Sequence, residues 1–307
     1  MYGLMKIGRP LLPLDVPNER SIHVKPIPRS GGLAIVMGSC ISWTLLQTIP
    51  WMLILSCLGL TLLSWFDDRF SLSVLIRLAI QSAIIALFVS GNIIPFAFLS
   101  ALLLFALIIW SSNLYNFMDG SDGLAGGMAI FGFGFYALAA YLAGDIQFFL
   151  LCFSTAVSAI PFLIYNFVPA KIFMGDAGSI PLGFLAGALG YLGWHHKLWP
   201  FWYPVLVFSP FIFDATITLI KRAFSREKLW LPHKNHYYQR FLRMGAGHKR
   251  TCLAEYALML ACGGSAVAGL ILPENLIFLL LMSWLIIYAG IVIVIDRRWR
   301  LFFDEKT

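Results

Sequence analysis

The stretch NLYNFMDGSDGLAGG, residues 113–127, decides how the rest of the chain is read. An apolar run from Pro95 to Ser112 leads into it, and another from Met128 to Ala143 leads out. Between them stand two amides, Asn113 and Asn116, two carboxylates, Asp119 and Asp122, and glycines at 120, 123, 126 and 127. Ionisable groups are costly at bilayer depth, so this cluster belongs at a membrane edge or against a polar cavity. Carboxylate and amide oxygens are hard ligands that suit Mg²⁺, which is commonly held by one or two carboxylates plus substrate phosphates. The stretch therefore points to a metal and phosphate site at a membrane surface.

Composition agrees with membrane burial. Of 307 residues, 60% are hydrophobic and only 12% charged, with a mean hydropathy of +0.82. Soluble domains carry about 25% charged residues. Apolar runs near the ~20 residues that span a bilayer fall at about 31–48, 50–66, 73–90, 94–112, 123–142, 146–166, 178–194, 199–220, 253–271 and 275–295. The expected fold is all-α: a polytopic integral membrane protein of about ten transmembrane helices, forming a single membrane-embedded domain over 1–307. Residues 1–30 are expected to be a surface loop punctuated by proline, and 221–252 the largest loop outside the membrane.

Short turns on one side alternate with long polar connections on the other. All but Lys197 of the 22 lysines and arginines fall on the long-connection side. The positive-inside rule places that side, and both termini, in the cytoplasm. The net charge of +7 follows from this sidedness and is not read as a nucleic-acid surface. The five cysteines are odd in number, form no CxxC and lie mostly in apolar runs, so they read as small core residues. No cleavable signal is visible: Lys6 and Arg9 are followed only by PLLPL.

The acids share the same side. Asp67 and Asp68 end the second run, Asp119 and Asp122 follow the fourth, Asp176 follows the sixth, and Asp214 lies near the basic end of the eighth. Asp67–Asp68 alone reads equally well as a solvated helix end. Scattered surface acids would not prefer one face, so the set as a whole is informative. Three further stretches join it. In FMGDAGSIPLG (173–183), glycines flank Asp176 at the mouth of a helix, where backbone N–H groups can receive a phosphate oxygen. PHKNHYYQRF (232–241) offers His233, Lys234, His236, Gln239 and Arg240 as donors. It reads equally as an anion-recognition loop or as a basic surface binding anionic lipid. DVPNERSIHVKPIPRSGG (15–32) carries Arg20, His23, Lys25 and Arg29 before a glycine pair, as a cationic loop for a lipid or nucleotide phosphate would.

Together with WFDDRFSLSVLIR (65–77), these motifs resemble, in order and on one side, those of the polyprenyl-phosphate N-acetylhexosamine-1-phosphate transferase family, the glycosyltransferase 4 group. The likeness spans about 15–241. It implies transfer of HexNAc-1-phosphate from a UDP-sugar to undecaprenyl phosphate, releasing UMP, at the cytoplasmic face of a bacterial inner membrane. It also implies Mg²⁺ as cofactor, with Mn²⁺ as an alternative. By the same likeness Asp67, Asp68, Asp119 and Asp122 are catalytic candidates, and Asp176 with Asn116 would hold the metal. Asn113, Asn116, His233, Lys234, His236 and Arg240 would bind substrate. Undecaprenyl phosphate, a UDP-N-acetylhexosamine and membrane lipids are the implied partners, nucleic acid is not, and a homodimer stays open.

Two departures place the chain with the branch that starts O-antigen, enterobacterial common antigen and teichoic acid synthesis. Ser71 stands where the muramoyl-pentapeptide branch has a lysine, and spaced His233 and His236 replace that branch's compact triple histidine. Only fourteen residues precede Asp15, so the family's usual first helix is expected to be missing from this sequence. Outside the resemblance, a proton- or cation-coupled transporter, a CDP-alcohol-type lipid phosphotransferase and a non-enzymatic lipid-binding scaffold remain as rival readings. Acids at one membrane edge weigh against the transporter, whose binding groups belong near the midplane.

Overall fold

A computed structural model of the chain describes residues 14–15, 26–46, 50–92, 98–228, 231 and 233–304. Arg20, His23, Lys25 and Pro232 lie outside the described residues. Two short strands, β1 (Leu14–Asp15) and β2 (Ile27–Pro28), pair antiparallel. The helices follow: α1 Gly31–Leu45, α2 Trp51–Phe70, α3 Val74–Asn92, α4 Phe98–Met118, α5 Leu124–Leu142, α6 Ile146–Asn166 and α7 Asp176–His195. After them come α8 Trp202–Val207, α9 Ser209–Phe224, α10 Tyr237–Phe241, a π-turn at Leu242–Ala246, α11 Gly247–Gly269 and α12 Glu274–Asp304.

Helices occupy all ten expected places. Among the described residues, seven helices, α2 to α6 and those carrying residues 237–269 and 274–302, are long and apolar enough to cross a membrane by length and composition. The protein is a multi-pass membrane protein. α1 has only 15 residues. α7 is buried without a break from Ala177 to Gly190 and packs against α1, α2 and α4, forming the centre of the bundle. Its small residues allow this. A Cβ on Gly32 of α1 would lie 2.1 Å from the Gly178 Cα of α7, so the two backbones touch where the helices cross.

Hydropathy misplaced several boundaries, for one physical reason: it senses the lipid, whereas helices continue beyond it. α2 runs on through Asp67 and Asp68, and α4 through Asn113 and Asn116, so both amides sit on the last two turns of a helix and not in a loop. α12 extends to Asp304, past the expected end at 295. The expected span 199–220 is broken into α8 and α9 at Phe208. Pro210 near the start of α9 has no N–H to give to the preceding turn and so begins a new helix. The five cysteines are all buried thiols.

Candidate active site

The site forms where the basic-side ends of α2, α4 and α7 meet. The strand β2 brings Arg29 to them, because the segment runs alongside residues 173–174. Phe173 N–H donates to the Pro28 carbonyl (2.8 Å), and Gly31 and Gly32 N–H donate to Phe173 and Met174 (2.9 and 3.0 Å). Gly175 turns the chain into α7 with φ +73°, and a Cβ there would lie 2.8 Å from the Arg29 carbonyl oxygen. Only glycine fits this passage.

Asp67 lies on the last turn of α2, where Ser71 closes the helix in a left-handed conformation. Arg77 of α3 donates to Asp67 Oδ2 at 2.7 Å and, from the same nitrogen, lies 3.6 Å from Asp176 Oδ2. One guanidinium thus joins the ends of α2 and α7. The Asn116 side chain favours the charged form of Asp176, and the Gly175 N–H that of Asp119. Burial pushes the Asp119 carboxyl well above its ordinary range; Asp176 and Asp68 push it the same way, while Arg29 and the Gly175 N–H oppose them. Asp68 Oδ2 is buried with no hydrogen-bond partner. Carboxylates gathered in this way, with one oxygen orphaned, suit a cation, because an unpaired buried acceptor bears its full desolvation cost. Among the described residues, however, no three His, Cys, Asp or Glu side chains are set to enclose a metal ion. The donor set fits an ion that draws the rest of its oxygen ligands from substrate and water.

A cavity of about 590 Å³ opens over Asp119 and Asp176, lined also by Arg29 and Asn116 and by His233, Lys234, Gln239 and His248; Asp67 and Asp68, expected as catalytic, do not line it. Asp122 reaches its rim, where it accepts a hydrogen bond from the Ala170 N–H (3.0 Å) and lies 3.7 Å from His248 Nδ1. It braces the 167–170 turn. Asn113 does not line the cavity; its amide donates to the Ile109 carbonyl within α4.

The segment 233–240 hangs from two carboxylates. Asp214, 7% exposed, meets His236 Nδ1 at 3.0 Å through Oδ1 and accepts the N–H groups of Tyr237 and Tyr238, both at 2.9 Å. His236 is therefore locked in place, with its ring against Phe117 and His233. Asp296 of α12 receives Arg240 at 2.9 Å and is also bonded by Lys221 and Tyr237. Arg240 is spent on this clasp and does not line the cavity, whereas His233 and Lys234 do. Burial, followed by the His236 and Arg222 charges, pushes His233 down to about 4. Near neutral pH it is thus an uncharged hydrogen-bonding ring.

The family model of glycosyl transferase family 4 matches residues 50–193, which contain α2 through most of α7. The chain is 29% identical to the probable undecaprenyl-phosphate N-acetylglucosaminyl 1-phosphate transferase of Bacillus subtilis, over 97% of this chain and 88% of that protein. It is 28% identical to the undecaprenyl-phosphate alpha-N-acetylglucosaminyl 1-phosphate transferase of Yersinia pestis, over 94% and 85%. It is also 28% identical to the decaprenyl-phosphate N-acetylglucosaminephosphotransferase of Mycobacterium leprae, over 92% and 83%.

Residues 50–193 of the chain thus resemble glycosyl transferase family 4. The family match covers Asp67, Asp68, Asp119 and Asp176 and stops before residues 233–248. Several residues of this candidate site were not singled out from the sequence. Arg77 closes the motif 65–77 but was given no role there, yet it bridges Asp67 and Asp176. His248, at the start of α11, lies 3.1 Å from Ser121 Oγ and 3.3 Å from the Asp122 N–H. Its one signal was a lone histidine at the mouth of an apolar run on the acid-bearing side. Asn166 holds the glycine turn, accepting from the Gly123 N–H (2.9 Å) and donating to the Ile172 carbonyl (2.8 Å). Asp296 carried no local signal.

Proposed function

We propose that this protein transfers N-acetylhexosamine-1-phosphate from a UDP-sugar to undecaprenyl, or another polyprenyl, phosphate, giving the lipid diphosphate sugar and UMP. The reaction takes place at the cytoplasmic face of a bacterial inner membrane and starts a cell-surface polysaccharide such as O-antigen or teichoic acid. The observation that carries this reading is the convergence of Asp67, Asp68, Asp119 and Asp176 from three helix ends, with Asp119 and Asp176 lining a polar cavity that His233, Lys234 and His248 also line. The activities for which the relatives are named support the same reaction.

Phosphoryl transfer asks the protein mainly for positioning and charge neutralisation. Asp176 and Asn116, with Asp119 beside them, would hold Mg²⁺ or Mn²⁺. When bound, the ion neutralises the charge of the diphosphate. An oxygen of the lipid phosphate attacks the β-phosphorus, the bond to the α-phosphate's bridging oxygen breaks, and UMP leaves with that oxygen. Arg29, Lys234 and neutral His233 face the anionic substrate. His236 acts by positioning His233. Asp67, paired with Arg77, organises charge, and Asp68, whose Oδ2 has no hydrogen-bond partner, would take the remaining proton of the lipid phosphate. Much of that phosphate is already dianionic near neutral pH, its second pKa being about 6, so base assistance is a small part of the rate. The acids sit at helix ends and not mid-helix, which disfavours a transporter.

The test is reconstitution in liposomes with undecaprenyl phosphate, Mg²⁺ and a panel of UDP-sugars, beginning with UDP-N-acetylglucosamine. UMP release together with a lipid product heavier by one HexNAc-phosphate is expected. Absence of both with every sugar, or release of CMP from CDP-linked donors instead, overturns the proposal.

A further inference from the structure

The segment Tyr237–Ala246 separates two cavities. Gln239, Leu242 and Arg243 line the cavity over the acids. Phe241 and Met244 line a second one, of about 480 Å³, on the opposite side of the same segment. Its other walls are Arg250 on α11 and Arg298, Leu301 and Phe302 on α12. Among the described residues no carboxylate lines this second cavity, and neither Arg250 nor Arg298 makes a hydrogen bond or ion pair. It lies just beyond the apolar run of α12, which gives way to Asp296, Arg297 and Arg298. That is the level at which lipid headgroups sit.

Two unpaired guanidiniums beside aromatic and aliphatic walls match one chemistry: a phosphate attached to an apolar body. Arginine forks bind phosphate oxygens in pairs, and basic groups next to a membrane helix attract anionic lipid. We infer that this outer cavity is a headgroup site for an anionic phospholipid of the surrounding leaflet. The phosphate lies between Arg250 and Arg298, and the glycerol and upper acyl carbons lie against Phe241, Met244, Leu301 and Phe302. An occupant there rests on the back of the segment whose front faces the substrate cavity. Bound lipid therefore stiffens that wall and raises affinity for the UDP-sugar. The coupling rests on the proposed function; the lipid site does not.

Delipidated protein titrated with phosphatidylglycerol, phosphatidylcholine or inorganic phosphate, and read by native mass spectrometry, tests the site. Phosphatidylglycerol is expected to bind in preference to the other two. Arg250→Gln with Arg298→Gln should weaken it roughly tenfold, the order expected for removing two juxtamembrane cations. Lys249→Gln with Arg297→Gln removes the same charge from exposed neighbours that do not line the cavity, and should leave binding within about twofold. Equal losses in both double variants mean diffuse surface attraction and overturn the site, as does no loss in either. Inorganic phosphate binding as well as the lipid also overturns it. In nanodiscs, phosphatidylglycerol should lower KM for the UDP-sugar in the wild type and not in the lining variant, with equal turnover in pure phosphatidylcholine. Lining-dependent lipid binding without this change in KM overturns the coupling alone. Lipid binding with no UMP release from any preparation counts against the proposed function and leaves the headgroup site standing.

Discussion

The acidic wall of the cavity is made of helix ends fixed inside the bundle, whereas the basic wall is a short segment suspended from two carboxylates. Asp176 lines the cavity from α7, whose position is set by buried packing and by its Gly32–Gly178 crossing with α1, and Asp67 of α2 is tied to it through Arg77. His233 and Lys234 precede the five-residue helix α10, which owes its place to Asp214 and Asp296. On the proposed function, charge that must be held at a fixed distance from reacting phosphorus would be mounted on the rigid side, and groups that recognise the substrate on a wall able to yield and close. Mutations in the two walls should therefore fail differently.

The largest effect is expected on the rigid side. Asp176→Asn and Asp67→Asn each keep shape and remove charge, and should lower UMP release by more than ~100-fold with little change in thermal stability. An intermediate effect is expected at the first suspension point. Asp214→Ala strands His236 and two backbone N–H groups in a buried pocket, a loss on the order of 3–5 kcal/mol for breaking a buried charged network. It should appear as a lower melting temperature as well as lost turnover. Asp296→Ala frees Arg240 at a partly exposed clasp, so KM for the UDP-sugar should rise by roughly five- to tenfold while kcat moves less. A larger effect on kcat than on KM would show that the basic wall is not the yielding one. The smallest change belongs to Asp145, on the far side of the bundle, where it caps α6 by accepting the Phe148 N–H (2.8 Å). Asn caps as well as Asp does, so Asp145→Asn should leave UMP release within about twofold.

The same contrast explains what could be read from the chain alone. Apolar runs and the one-sided lysines and arginines located the helices and the acid-bearing face, because lipid imposes a strong constraint on composition. Asp67, Asp68, Asp119 and Asp176 stood out because charge at a helix end in a membrane protein needs a reason. The basic wall was harder to read. Arg240 looks like a substrate donor in PHKNHYYQRF, but its partner Asp296 is 56 residues away and nothing local announces it. Asp122 resembles Asp119 in sequence, yet one braces a turn and the other faces the acids, a difference set by residues 166–175 and His248. The break at Phe208 and the continuation of α4 through Asn116 depend on tertiary packing that hydropathy does not see.

The most direct test of the central claim, that separate helix ends assemble one divalent-cation site, is Mn²⁺ binding followed by electron paramagnetic resonance in the presence of UDP. A single ion per chain is expected in the wild type and in Asp145→Asn, with its affinity strongly reduced in both Asp119→Asn and Asp176→Asn. Binding left intact in both variants of the acidic wall would contradict the account.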